Sequence, residues 1–230
     1  RYTNVTPLTR TAFVPTTSAL SAEQQELVAS RAEAACAGLE EVETHIFVNG
    51  CHTGGPKLPA GAAVSIRATL AESPGLLEPY LGHSVNESLN GFSALNTAFF
   101  DDGAFIHVAP AQPAHTVHLV HVTAGDEAGL SFARNVIVLE PQAHATVIET
   151  YVSTGNAAHL CTAGTEIVLG EGALLEHYRM QSMSAEASHV GAVEASIGTA
   201  ATYRAHHVSI GGKLSRVDAN VALDAERAAC

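Results

Sequence analysis

The strongest pattern in this chain is a short apolar alternation that returns. Phe105-Ile-His-Val108, Val136-Ile-Val-Leu139 and Glu166-Ile-Val-Leu169 stack as an imperfect repeat, spaced by about 30 residues. The second column holds Ile106, Ile137 and Ile167 and the fourth holds Val108, Leu139 and Leu169, all apolar. The first and third columns mix Phe105, Val136 and Glu166 with His107, Val138 and Val168. Successive strand residues point to opposite faces, so columns two and four are expected to line an interior ladder while one and three look outward. Each copy is followed by a turn signal, Ala109-Pro110, Glu140-Pro141 or Gly170-Glu171-Gly172, and then by a second strand-like run. Further on, Val217, Ala219, Val221 and Leu223 alternate with Asp218, Asn220 and Asp224 after a corner at Ile210-Gly-Gly-Lys213. Repetition of strand, corner and strand predicts a parallel β-helix, in which each coil mainly contacts its neighbours.

Before Gly103 the pattern differs. Ser21 and Gln24 have capping-box spacing, and Leu27, Ala34 and Leu39 recur at roughly helical intervals, which predicts a helix from Ser21 to about Glu41. Thr44-His-Ile-Phe-Val-Asn-Gly50 reads as a strand running into a turn. A second helix is expected from Asn86 to Phe99, with Phe92, Leu95 and Phe99 on one face, ended by Asp101-Asp102-Gly103. The expected organisation is therefore a helix and strand region over residues 1–100 leading into a β-helix core over residues 101–230, mainly β with a few peripheral helices.

Composition narrows the function classes. The formal charge is −12 with no cluster of Lys and Arg, which argues against nucleic acid and anionic membrane as partners. No apolar run approaches the roughly 18 residues of a membrane span, and no export signal is evident, so a soluble protein is expected. Cys36, Cys51, Cys161 and Cys230 are too few and scattered for a disulfide framework, which fits free thiols in a reducing, cytoplasmic setting. Aromatic residues make up 5% with no Trp, a balance suited to thin repeated layers. A chain that opens at Arg1 and stops at Cys230 after a strand-like run reads as a fragment or processed product, truncated at its C-terminus.

The thirteen histidines invite a metal reading, which their spacing does not support. In a strand, His118 faces away from His115 and His121, so these three read as surface histidines. His206-His207 are adjacent strand residues and diverge, and Cys51-His52 are adjacent at an expected turn. His159 and Cys161 share a face, but two ligands are fewer than the four of a structural zinc site. Cys230 reads as a small residue at a strand end. Asp101-Asp102 and Asp126-Glu127 sit beside Gly in turns, where solvated charge is expected. No acyl-transfer, nucleotide-triphosphate or dinucleotide motif is present, so no catalytic or cofactor-binding residue is assigned. Converging carboxylates on a β-helix would suit a polysaccharide-active enzyme, the alternative reading, although the aromatic supply for a sugar groove is poor.

Longer blocks carry a family resemblance. Asn90-Gly-Phe-Ser-Ala-Leu-Asn-Thr-Ala-Phe-Phe-Asp-Asp-Gly-Ala-Phe-Ile-His-Val108 resembles a block of SufD-type proteins, members of the SufB/SufD family. Ala133-Arg-Asn-Val-Ile-Val-Leu139, Thr165-Glu-Ile-Val-Leu-Gly-Glu-Gly-Ala173, Leu175-Glu-His-Tyr-Arg179 and His207-Val-Ser-Ile-Gly-Gly-Lys-Leu-Ser-Arg216 match in the same order, as does Arg1-Tyr-Thr-Asn-Val-Thr-Pro-Leu8. The resemblance implies a right-handed parallel β-helix acting as a non-catalytic scaffold subunit in iron–sulfur cluster assembly. It implies a SufB-type subunit and a SufC-type ATPase as partners, and a nascent iron–sulfur cluster in the assembled complex rather than a cofactor of this chain. The family's C-terminal Cys/His segment has no counterpart here. The regular alternation of Lys213 to Leu223, with no proline and few charges, leads to the further expectation that an uncovered terminal coil self-associates.

Overall fold

The structure, a computed structural model, describes residues 3–16, 19–39, 42–54, 65–82, 91–110 and 114–230. Residues 86–90 of the expected second helix, and Arg1 and Tyr2, lie outside the described residues. The elements in chain order are α1 (Thr6–Thr9), β1 (Val14–Pro15), α2 (Ala22–Cys36), β2 (Glu43–Val48), β3 (Cys51–Gly54), α3 (Ile66–Glu72), a 3-10 turn (Pro74–Leu76), α4 (Gly91–Phe99) and β4 (Ala104–Val108). Eight long strands follow: β5 (His115–Thr123), β6 (Gly129–Leu139), β7 (His144–Ser153), β8 (Leu160–Leu169), β9 (Leu174–Ser182), β10 (Ser188–Ile197), β11 (Thr202–Ser209) and β12 (Leu214–Ala222).

Consecutive strands alternate between two sheets. The first runs β1-β6-β8-β10-β12, with β4 also on β6, and the second runs β11-β9-β7-β5-β2-β3. All pairings but β2 with β3 are parallel, so the chain winds as a β-helix of about four turns. The register joins Ile106, Ile137, Ile167, Ala195 and Val221 in one column, and Val108, Leu139 and Leu169 in another. Ile106, Ile137, Ile167, Val108, Leu139 and Leu169 are all buried in the main core cluster, as the repeat predicts.

Columns one and three depart from expectation. Phe105, Val136 and Glu166 do point outward, yet all three are fully buried, and Val138 is buried with them. The N-terminal region supplies the cover: Ile66, Leu77, Tyr80 and Leu81 pack on Phe105, Val136 and Val138. On the other sheet, Val28 and Ala32 of α2 pack on Val120, Val122 and Val152. Period-two patterning reports one apolar face, whereas a second layer is laid on by residues distant in sequence.

The expected corners are all present. Asn49 and Gly50 turn from β2 into β3 at positive φ, 51° and 88°, and a side chain at Gly50 would meet the Phe132 carbonyl. Helix α2 begins at the capping box of Ser21 and Gln24. Helix α4 forms, but its buried residues are Ser93 and Asn96, while Phe99 is 59% exposed. Hydrogen bonding rather than apolar contact sets that face. Asn96 Nδ2 donates to the carbonyls of Ala133 and Thr162 at 2.9 and 3.0 Å. No helix among the described residues is long and apolar enough to cross a membrane.

Candidate functional site

Inside the coil the chemistry divides. Near the short corners after β6 and β8 the lining is aliphatic. Toward the opposite corner it becomes polar, because the columns Leu119-Glu149-Arg179-His207 and His121-Tyr151-Gln181-Ser209 face Asn135, Thr165, Cys161 and His189 of the first sheet. Glu149, Arg179, His177, Tyr151, His121 and His189 are all buried.

Glu149 organises this half. It accepts hydrogen bonds from Tyr151 Oη at 2.7 Å and Thr165 Oγ1 at 2.8 Å, and lies 3.2 Å from His177 Nε2 and 3.3 Å from Arg179 Nε. Arg179 Nη1 donates to Thr165 Oγ1 at 3.2 Å, and the Tyr203 hydroxyl lies 2.9 Å from His177 Nδ1. Burial pushes the Glu149 carboxyl up, but Arg179 and His177 outweigh it and hold the group well below the usual carboxylate range. Burial, reinforced by Glu149, pushes the Tyr151 phenol far above its ordinary value. Burial also lowers His121 to about 4 and His189 to about 3, with Arg179 acting in the same direction, so both rings are neutral at pH 7. Gly191 leaves room for this arrangement, since a Cβ there would lie 2.9 Å from Arg179 Nη2 and 3.2 Å from His189 Nε2.

A second polar cluster lies on the outer face of the first sheet. Arg134 and Glu166, both fully buried, pair at 2.6 Å. Asn96 Oδ1 and Thr97 Oγ1 accept from Arg134 Nη1, the Phe100 ring lies 5.4 Å from its guanidinium carbon, and the Gly82 amide donates to Glu166 at 2.9 Å. Asn96, Arg134 and Glu166 come from three of the blocks singled out in the sequence. Their meeting accounts for those blocks as a clamp that seats α4 on the β-helix.

The histidine and cysteine groupings resolve one by one. His118 does face away from His121, but neither is a surface residue: His118 bonds Thr150 at 2.8 Å on the outer face, and His121 stacks on Tyr151 inside. His115 is partly exposed. His206 stacks on Tyr178 outside, whereas His207 approaches His177, so the adjacent pair diverges as expected. Cys51 lies near Arg67 and Asp101, while His52 packs on Phe47. His159 accepts from the Gly129 amide at the corner before β8, and Cys161 packs with Ala133 and Tyr151, its thiol pushed up by burial. Cys230 is exposed. Among the described residues no group of three or more His, Cys, Asp or Glu is placed to hold a metal ion.

The acidic turns correct one expectation. Asp101 pairs with Arg67, but Asp102 is buried rather than solvated, accepting from Ser65 Oγ and from the amides of Arg67, Gly103 and His52. Asp126 and Glu127 are exposed. The interior network itself was missed, since Glu149 stands in no motif. The signal was present as polar residues at alternate positions of otherwise apolar runs.

Comparison with known proteins agrees with the fold. The model of the SufBD core domain of the SUF system for FeS cluster assembly matches residues 121–230, and that of the SufBD N-terminal region matches residues 6–116. An iron–sulfur cluster assembly SufBD family protein of Synechocystis sp. is 30% identical over 190 residues, covering 74% of this chain and 41% of the relative. The iron–sulfur cluster assembly protein SufD of Escherichia coli is 28% identical over 117 residues, covering 51% of this chain and 28% of the relative. The chain thus spans well under half the length of these relatives. With its two halves matched in order by two models of one family, and a parallel β-helix between them, the chain belongs to the SufB/SufD family.

Proposed function

We propose that this chain is part of a non-catalytic, SufD-like scaffold subunit that acts in iron–sulfur cluster assembly in the cytosol. The observation that carries the reading is the match, in chain order, of the SufBD N-terminal region to residues 6–116 and of the SufBD core domain to residues 121–230. Among the described strands β11 and β12 stand last in the two sheets, and β11 pairs in part with the segment around Ala229 through the backbone of Ala201 and Tyr203. Val217 and Val221 are only partly buried there, extending the interior ladder to that end. A SufB-type subunit is the expected partner, with a SufC-type ATPase recruited to the same complex. The nascent cluster is then cargo of the complex, and the interior network holds the coils in place. The polysaccharide-active alternative finds less support, because Glu149, Glu166 and Asp102 are each buried and engaged with protein partners.

The test is co-purification of the full-length protein with SufB-type and SufC-type subunits. Both subunits are expected to be recovered with it. Failure of the unsubstituted protein to co-purify with either subunit would overturn the reading.

A further inference from the structure

Four strands from both sheets meet on one phenol ring. Tyr151 of β7 carries the His121 ring of β5 stacked at 5.0 Å and the His189 ring of β10 tilted against it at 4.5 Å, with the Arg179 guanidinium of β9 at 5.1 Å. Phe47 of β2 extends the stack, 5.0 Å from His121, with His52 of β3 on its other neighbour position at 5.1 Å. The remaining groups that face it are Glu149 of β7, Asn135 of β6, Cys161 of β8, and His177 of β9 with Tyr203 and His207 of β11 behind. His45 of β2 stands near His52, and His118 points to the opposite face of β5. The carboxylate facing the stack is Glu149, whose oxygens already serve Tyr151, Thr165, His177 and Arg179.

We propose that the His121–Tyr151–His189 stack is an acid-operated latch. Neutral imidazoles hold the two sheets together around Tyr151, and protonated ones part β10 of the first sheet from β5 and β7 of the second, opening the interior at Cys161. Protonating both rings would set three cations about one phenol against the single negative charge of Glu149, which Arg179 already balances, in a site that excludes water. The closed form resists protons, since burial holds the two rings at about 4 and about 3, whereas an opened form has rings near the ordinary 6.5. Falling pH therefore favours opening. Cys161 reports it, because the thiol is 2% exposed and sits between Ser131 and His189 in the register.

The experiment is labelling of the unsubstituted chain with 4,4′-dithiodipyridine, which reacts in acid, with each cysteine followed by peptide mapping. Cys161 labelling should rise at least about tenfold from about pH 7.5 to about pH 5, while exposed Cys230 shows no such rise. Sheet content by circular dichroism should be retained at both values. Combined His121→Gln and His189→Gln should abolish the rise, and His189→Gln alone should reduce it, which keeps the test open if the double variant does not fold. A rate that stays flat or falls in the unsubstituted chain, a rise undiminished by these substitutions, or a rise that accompanies loss of sheet signal would overturn the latch.

Discussion

The two halves of the β-helix interior are built on the same strands and do opposite things. In one, Ile106, Ile137, Ile167, Ala195 and Val221 repeat an apolar rung on every coil of the first sheet. In the other, Leu119, Glu149, Arg179 and His207 differ on every coil of the second. A slip by one whole coil leaves isoleucine over isoleucine, so the apolar column supplies cohesion and says little about which coil stacks on which. Only one register sets Glu149 beside Arg179 with Thr165 and Tyr151 in reach, so the polar column supplies address. Stability and specificity are thus divided between an apolar column of the first sheet and a polar column of the second.

Substitutions can break that comparison, and the largest effect belongs to the apolar half. Ile137→Asp should prevent folding, because an unpaired carboxylate would lie between apolar coils. A soluble variant with normal circular dichroism would contradict the assigned cohesion. Glu149→Leu should cost about 3–5 kcal/mol by leaving Arg179 buried and unpaired. Glu149→Leu with Arg179→Met should recover most of that loss in urea unfolding, since the polar half adds little net stability. Broadened amide resonances in the double variant would then reveal loss of address. Ile137→Ala should cost about 2–5 kcal/mol, measured the same way.

Acid separates the halves without mutation. His121 and His189 are lowered to about 4 and about 3 in the folded chain. Their unfolded forms take protons once pH drops below the ordinary 6.5, so the unfolded state binds more protons. Their stabilising effect is therefore complete above 6.5 and is lost progressively as pH falls toward those two values. Urea midpoints should fall between pH 7 and pH 5, and a constant midpoint would contradict the neutral, buried state of these rings. The smallest effect lies outside both halves: Ser21→Ala, removing the cap of α2, should cost about 1 kcal/mol in the same assay.

Local chemistry made part of this molecule legible from residue order alone. The capping box of Ser21 and Gln24, the Asn49-Gly50 turn, the corners after Val108, Leu139 and Leu169, and the buried isoleucine column all depend on neighbours or on alternation, which a sequence displays directly. The family resemblance rested on the same contiguous blocks. Other features depended on which distant segments met. Alternation marked Val136 and Glu166 as outward, and only the packing of Ile66, Leu77 and Gly82 on that face buried them. Helical spacing set Phe92, Leu95 and Phe99 on one face, while the carbonyls of Ala133 and Thr162 drew Asn96 into a buried position. Glu149 and Arg179 look like ordinary polar strand residues until the coil brings them together, 30 residues apart in the chain but one strand apart in space. Winding converts that separation into contact, and a one-dimensional pattern carries no record of which polar residues will share an interior.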